Sequence, residues 1–198
     1  MNKYTVLFFL AYLSGNFVYT EELPIIKQIE IISTKIKKNP EKKKYLQLNL
    51  VALFLKNKQY PEAFLVLTEL KKQKMHTLQD YIVFYWGKAH YEMGLQLLDN
   101  KKYKESTPVF KKGRETFLSL YDAFPDSILL GKLNESIGLV DKAIADALFL
   151  RKLYKPAHLK YSDALSRINS NELLKEIRVK MLEVHEKLSE WKKTFKIN

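Results

Sequence analysis

The chain of 198 residues contains no cysteine. Disulfide bonds, thiol catalysis and cysteine-ligated metal sites are therefore excluded. Glycine and proline are scarce, at six residues each, which argues against a low-complexity chain and against a long all-β chain. Histidine is also rare, and its four positions show no H-E-x-x-H motif and no paired metal spacing: His76, His90, His158 and His185.

Motifs of known catalytic chemistry are missing as well. The chain has no G-x-S-x-G motif and no phosphate-binding loop. Its glycines are spread over predicted helices, where we expect them to lie at helix contact positions: Gly87, Gly94, Gly113, Gly131 and Gly138. We therefore expect a protein that is not an enzyme and that uses no cofactor and no metal.

Charge is abundant and mostly of one sign. The net charge is +12, and lysine dominates it. A basic balance is typical of proteins that meet nucleic acid, anionic lipid or an acidic partner. The lysines cluster at predicted helix ends and turns, around Lys35–Lys44, Lys71–Lys74 and Lys101–Lys104. Lysine at a helix C-terminus also complements the helix dipole. Solvated helix ends and an electrostatic binding surface are both open interpretations.

The first twenty residues have the layout of a secretory signal peptide. Lys3 gives a positive start, an apolar run covers Val6 to Leu13, and Ser14-Gly15 follows. The run is too short to span a bilayer comfortably. An uncleaved membrane anchor and a buried first helix are the alternatives. Export would place residues 21–198 in the periplasm or outer envelope of a bacterium, whereas an anchor would hold them at the inner membrane.

Nearly everything after residue 21 has the pattern of α-helix. Ile25, Ile29, Ile32 and Ile36 form one apolar stripe at helical spacing. Short junctions separate the segments, as antiparallel helix neighbours require. Gly138 is expected to break a helix. The predicted segments run to about residue 38, then over about 40–57, 60–74, 80–99, 103–123, 127–137, 141–154 and 156–168, and from 171 onward. The sequence predicts an all-α fold in one domain.

Small residues recur at related spacings along these helices. Val51 is followed by Ala63 after 12 residues, and Gly131 is followed by Ala143 after 12 residues. Gly87 is followed by Ser106 after 19 residues, which is seven more. Seven residues make two helical turns and preserve the apolar face. We therefore predict a central helix hairpin in which both helices are lengthened by two turns.

This pattern resembles that of the tetratricopeptide repeat family, W-x2-L-G-x2-Y…A-x3-F…P. Three degenerate copies carry the resemblance, with Val51 replacing the usual glycine, Ser106 replacing alanine and Asn134 replacing an aromatic residue. It implies a right-handed α-solenoid of about three antiparallel helix hairpins, at about 42–75, 80–125 and 126–156, followed by capping helices at 157–196. A generic helical repeat or an irregular all-α bundle is the alternative.

The resemblance also implies a concave groove lined by the first helix of each hairpin, which binds a peptide segment or a helix of another protein. The middle set of groove residues is aromatic with one cation, a composition typical of binding hot spots. Packing between repeats is the other interpretation of its aromatic residues. The expected partner-binding residues are Tyr45 and Leu48, then Tyr81, Phe84, Lys88 and Tyr91, and then Lys132 and Glu135.

The last helix carries the most regular apolar stripe of the chain. Its members step by three and four residues over three heptads: Leu174, Ile177, Met181, Val184, Leu188, Trp191 and Phe195. The stripe predicts either a helix that caps the end of the solenoid or a surface for a second copy or a partner helix. In the second case Trp191 and Phe195 are the expected anchors.

Together these patterns favour an exported scaffold or adaptor that binds another protein, and they leave the partner unnamed. A homodimer through the last helix and membrane association through the N-terminus are further expectations. The alternative is a basic module that binds anionic lipid, polymer or nucleic acid, and a signal peptide argues against nucleic acid.

Overall fold

A computed structural model describes residues 23–73 and 78–194, with side chains to residue 190. The described residues form eight α-helices and no strand, so the predicted all-α class is confirmed. The expected signal peptide and Phe195 lie outside the described residues, and the side chain of Trp191 is not described. The helices are α1 (Ile25–Lys38), α2 (Lys43–Lys56), α3 (Tyr60–Lys72), α4 (Gln79–Asp99), α5 (Tyr103–Ala123), α6 (Leu130–Leu150), α7 (Tyr154–Leu165) and α8 (Asn171–Thr194).

The chain divides into two compact units at Ala63. In the first unit α1 packs on α2. Helix α1 ends directly before Asn39-Pro40, because the residue that precedes a proline disfavours helical backbone. Within its isoleucine stripe Ile32 is buried, and Ile25, Ile29 and Ile36 are half-buried.

Three connections between helices share one geometry. Each contains a lysine in the left-handed region, at φ values of 58° to 60°: Lys58, Lys101 and Lys152. The lysine amide donates to the carbonyl three residues earlier, and the next amide donates to the carbonyl five residues earlier. This pair of hydrogen bonds defines the Schellman motif, which ends a helix tightly. The same turn therefore joins α2 to α3, α4 to α5, and α6 to α7.

Counting from the turn lysine, the three helix pairs have the same kinds of residue at the same sequence offsets. A tyrosine stands two residues after each turn lysine: Tyr60, Tyr103 and Tyr154. A fully buried small residue stands five residues after it: Ala63, Ser106 and Ala157. Seven residues before it stands another buried residue: Val51, Gly94 and Ala145. Each pair thus repeats the same inward-facing positions around its turn.

Glycines set the close approach of α4 and α5. A Cβ on Gly87 would lie 2.7 Å from the Phe117 ring, and a Cβ on Gly94 would lie 2.5 Å from the Phe110 ring. Both helices have 21 residues, against 14 in α2 and 13 in α3, so the expected lengthening of both members is present. The first helix of the next pair, α6, also has 21 residues.

The predicted helix break at Gly138 is wrong, because α6 continues through it. A Cβ on Gly138 would lie 2.8 Å from Ile168 Cγ1 and 3.0 Å from Arg167 Cβ. Glycine inside a helix costs only about 1 kcal/mol relative to alanine, and close packing can offset that cost. The third pair is therefore α6 with α7, whereas the sequence placed both members before residue 156. A Cβ on Gly131 would meet nothing within 4 Å, so its expected role in a close helix contact is wrong too.

Side-chain contacts show the directions in which the helices of the second unit run. Ser127 Oγ donates to Asp80 Oδ2 at 2.6 Å, beside the starts of α4 and α6. Lys142 of α6 pairs with Glu176 of α8 at 2.9 Å, and further along Lys180 lies over the Phe149 ring. The residue numbers rise on both helices from the first contact to the second, so α6 and α8 run parallel. Helix α5 runs antiparallel to α6, as Tyr121–Asn134 and Arg114–Asp141 show.

Candidate partner-binding surface

The turn register identifies equivalent positions on the first helix of each pair. The positions 13 and 10 residues before the turn lysine are Tyr45 and Leu48 on α2, Lys88 and Tyr91 on α4, and Leu139 and Lys142 on α6. The first two pairs are predicted binding residues. On α6 the equivalent positions differ from the predicted Lys132 and Glu135, because the sequence register assumed a helix break that is absent.

In the first unit the two predicted residues are largely covered. Leu48 belongs to the buried core, and Tyr45 is half-buried. Neither offers a fully exposed side chain on the surface of α2.

The aromatic residues predicted on α4 pack within the second unit. The Phe84 ring lies 5.5 Å from Phe117, and the Tyr91 ring lies 6.1 Å from Phe110. Both rings adjoin a core cluster that includes Leu133 and Ile137 of α6. Lys88 lies between Phe84 and Tyr91 along the helix and is exposed. The aromatic rings therefore build the support, and Lys88 is the side chain presented to solvent.

Tyr81 stands at the start of α4, half-buried. Its hydroxyl is covered and has no hydrogen-bond partner in the described part of the chain. Burial raises the pKa of Tyr81, and the neighbouring Asp80 and Tyr85 raise it further. The Asp80–Ser127 hydrogen bond brings this end of α4 to the start of α6, where Lys132 is exposed and Glu135 is half-buried.

A polar cluster that the sequence interpretation missed lies around Lys142. Lys142 Nζ lies 3.0 Å from Asp146 Oδ2 and 2.9 Å from Glu176 Oε1, and the Tyr161 hydroxyl donates to Asp146 Oδ1 at 2.6 Å. The cluster therefore joins α6, α7 and α8. The sequence signal that could have found it is the Lys-x-Tyr motif at each turn. Counting back from that motif shows that Lys142 on α6 is equivalent to Tyr91 on α4.

The ionisable groups of the cluster influence one another. Burial would lower the pKa of Lys142, but Asp146 and Glu176 outweigh it and the pKa is raised. Burial, and then Asp146, raises the pKa of Tyr161. Burial is also the main cause that raises the pKa of Tyr91 to about 12, and Lys142 partly opposes it. The raised pKa values keep Lys142 cationic and both phenols neutral at physiological pH.

A second charged group surrounds Asp141, which directly precedes Lys142 on α6. Asp141 is fully buried and accepts hydrogen bonds from Arg114 Nε at 2.8 Å and Lys160 Nζ at 3.1 Å. These residues come from α5, α6 and α7. A buried carboxylate that accepts from two cations orients the helices around it. We assign this group a structural role.

One cleft of about 190 Å³ lies among α3, α4 and α5, with Trp86 in its wall and Lys71 over the Trp86 ring at 5.5 Å. Ligand pockets usually measure about 300–1,000 Å³, so this cleft is small for such a role. Among residues 23–73 and 78–194, no group of three or more His, Cys, Asp or Glu side chains is arranged to hold a metal ion. No helix in these ranges is long and apolar enough to cross a membrane.

The sequence matches no protein-family model and no curated protein.

Proposed function

We propose that this protein is a non-enzymatic scaffold whose helix pairs form a solenoid of tetratricopeptide-repeat type. Two observations support this. The same Schellman turn occurs three times. After each turn, small and large buried residues follow the A-x3-F spacing of the family's second helix. The pairs are Ala63 with Leu67, Ser106 with Phe110, and Ala157 with Tyr161, and all six residues are buried.

The surface that would bind a partner is the face of α4, α6 and α8 that carries Lys88, Tyr91, Lys142, Asp146 and Glu176; we call it the inner face. The observation that carries the proposal is the ordered cluster of Lys142 with Asp146 and Glu176. Lys88 adds an exposed cation on α4. Side chains that are already fixed lose little entropy on binding. The exposed cation and the fixed ion pairs suit an extended peptide segment with acidic groups.

The proposed location is outside the cytoplasm of a bacterium, in the periplasm or outer envelope. The positive start and the apolar run of the first twenty residues support it. Anchoring at the inner membrane by the same segment is the alternative.

A photo-cross-linking amino acid tests the inner face. We would introduce it at Lys88 in cells that express the full chain, and at Lys111 as the matched control. Lys111 is also exposed, but it lies on α5. The proposal predicts a discrete cross-linked protein from position 88, and none from position 111. Equal products at both positions, or none at position 88, would contradict it.

A second candidate function is contact with an anionic membrane surface through one edge of the second unit. The antiparallel register of α5 and α6 places the α4–α5 turn beside the α6–α7 turn. We call this the basic edge, and it contains Lys101, Lys102, Lys104, Arg151, Lys152 and Lys155. Leu150 and Leu153 stand among these cations and are 47% and 39% exposed. Cations interleaved with exposed leucines suit a lipid interface.

Vesicle sedimentation tests this second function. The basic edge predicts binding of the purified chain to vesicles of phosphatidylglycerol with phosphatidylcholine, and weak binding to phosphatidylcholine alone. The double variant Lys101→Glu/Lys152→Glu should lose binding to the phosphatidylglycerol vesicles. Lys132→Glu, at the other end of α6, is the matched control and should bind as the wild type does. Binding that does not change with lipid charge or with salt concentration would contradict the role of the basic edge.

A further inference from the structure

Two histidines that are 27 residues apart in sequence meet between α7 and α8. The Nε2 atoms of His158 and His185 lie 3.1 Å apart, and the ring centroids lie 4.8 Å apart at an interplanar angle of 78°. At this distance the N–H of one ring donates a hydrogen bond to the bare nitrogen of the other. The two ring nitrogens that face each other are both available as metal ligands once that proton leaves.

The separation of the two nitrogens suits a shared metal ion. Nitrogen ligands lie about 2.0–2.1 Å from Zn²⁺. Two such ligands are therefore about 3.3 Å apart at the tetrahedral angle and about 2.9 Å apart at a right angle. The observed 3.1 Å falls between these values. An ion can replace the shared proton once the rings rotate so that both lone pairs point at it.

The helices that carry the pair are held rigidly. Tyr161 and Ala164 of α7 and Ile177 and Val184 of α8 are all fully buried in one core cluster. Val184 directly precedes His185, so the backbone at that ligand is fixed by packing. His158 is half-buried and His185 is exposed, so an ion can reach both rings from solvent. Ligands on rigid elements are already close to their binding geometry.

We propose that His158 and His185 bind one divalent transition-metal ion of the zinc, copper or nickel class. Imidazole nitrogen suits these ions. The protein supplies two ligands, and water or a side chain from another molecule completes the coordination. An ion held this way would fasten α8 to α7. Because it binds the folded chain, it would also raise the stability of that chain.

The test uses the full chain after treatment with a chelator, titrated with ZnCl₂ and separately with NiCl₂ by calorimetry and by thermal unfolding. We expect one ion per chain, a Tm that rises with ion concentration, and reversal by EDTA. His158→Ala and His185→Ala should each lower the affinity about tenfold or more, since each removes one of two ligands. His76→Ala, which removes a histidine outside the described residues, should bind as the wild type does.

Folding of each variant is checked by far-ultraviolet circular dichroism without metal. Nuclear magnetic resonance of the imidazoles adds a second readout, in which zinc should shift the signals of His158 and His185 together. Wild-type affinity in either single variant, unchanged binding in the double variant, or no saturable binding by the wild type would overturn the proposal.

Discussion

The ring of Phe110 lies directly against Gly94. A Cβ on Gly94 would stand 2.5 Å from both Cδ1 and Cε1 of that ring, and Phe110 is fully buried and has little room to move. Overpacking a core costs about 1–3 kcal/mol, which exceeds the gain of about 1 kcal/mol from replacing helical glycine by alanine. Gly94→Ala should therefore lower the free energy of unfolding, measured by urea denaturation.

Gly131→Ala is the matched control for Gly94→Ala. Gly131 lies in the first turn of α6, and a Cβ there would meet nothing within 4 Å. Alanine should raise the free energy of unfolding by up to about 1 kcal/mol, because it lowers the entropy of the unfolded chain. If both variants change stability in the same direction, the contact assigned to Gly94 is wrong.

These two glycines show how far the sequence could predict the fold. Spacing of small residues located the contact positions at Gly87, Gly94 and Gly113, because close helix crossings need them. It also located the contact at Gly138, but it wrongly placed a helix break there and wrongly gave Gly131 a contact, since glycine alone does not say whether a neighbour is near or whether a helix ends. The break expected at Gly138 is absent because α6 packs there against the residues that follow α7. That contact depends on tertiary structure, which a local pattern does not contain.

Asp141 should be the most sensitive charged position of the second unit. Its carboxylate is fully buried between Arg114 and Lys160. Asp141→Asn keeps the volume but removes the buried charge that pairs with Arg114 and Lys160, and among the described residues only Lys160 has a second carboxylate, Asp163, to pair with. We therefore expect a loss of about 3 kcal/mol in the free energy of unfolding. Glu105→Gln is the control, because the Lys102–Glu105 pair is exposed and 3.8 Å apart and should contribute less than about 1 kcal/mol. A comparable loss in both variants would contradict the role of Asp141.

The turn lysines predict a stabilising change. Lys101 adopts a φ of 60°, a region that costs a non-glycine residue about 1–2 kcal/mol and that glycine adopts freely. Lys101→Gly should therefore raise the midpoint of thermal unfolding. Lys104→Gly removes the same charge from the neighbouring helix α5, where glycine is unfavourable, and should lower that midpoint. A lower midpoint for Lys101→Gly would show that its side chain contributes more than the backbone strain costs.

The candidate site was less predictable than the fold. Phe84 and Tyr91 were chosen for their aromatic character, and their rings pack against Phe117 and Phe110. Lys142 was missed because its importance comes from Asp146 one turn away and from Glu176 on another helix. A single sequence shows the first of these partners but not the second. The residues that line a groove can be identified only when it is known which residues of neighbouring helices lie next to one another.

Tyr91 should make the second unit sensitive to alkali. Its pKa is raised to about 12 in the folded chain, mainly by burial, against about 10 in an unfolded chain. The unfolded chain therefore loses this proton first, so the contribution to stability is complete below pH 10 and disappears as the pH rises toward 12. Tyr161 and Lys142 also have raised pKa values, and their contributions fall in the same direction.

Tyr91→Phe isolates the contribution of Tyr91 to this alkaline loss. The urea midpoint of the wild type should fall between pH 10 and pH 11, and the fall should be smaller in Tyr91→Phe because phenylalanine has no proton to lose. Ultraviolet difference titration of the two proteins should show one tyrosine missing from the variant, with its ionisation near pH 12. If the missing tyrosine ionises near pH 10, its hydroxyl is solvated, and Tyr91 then belongs to the accessible part of the inner face rather than to its support.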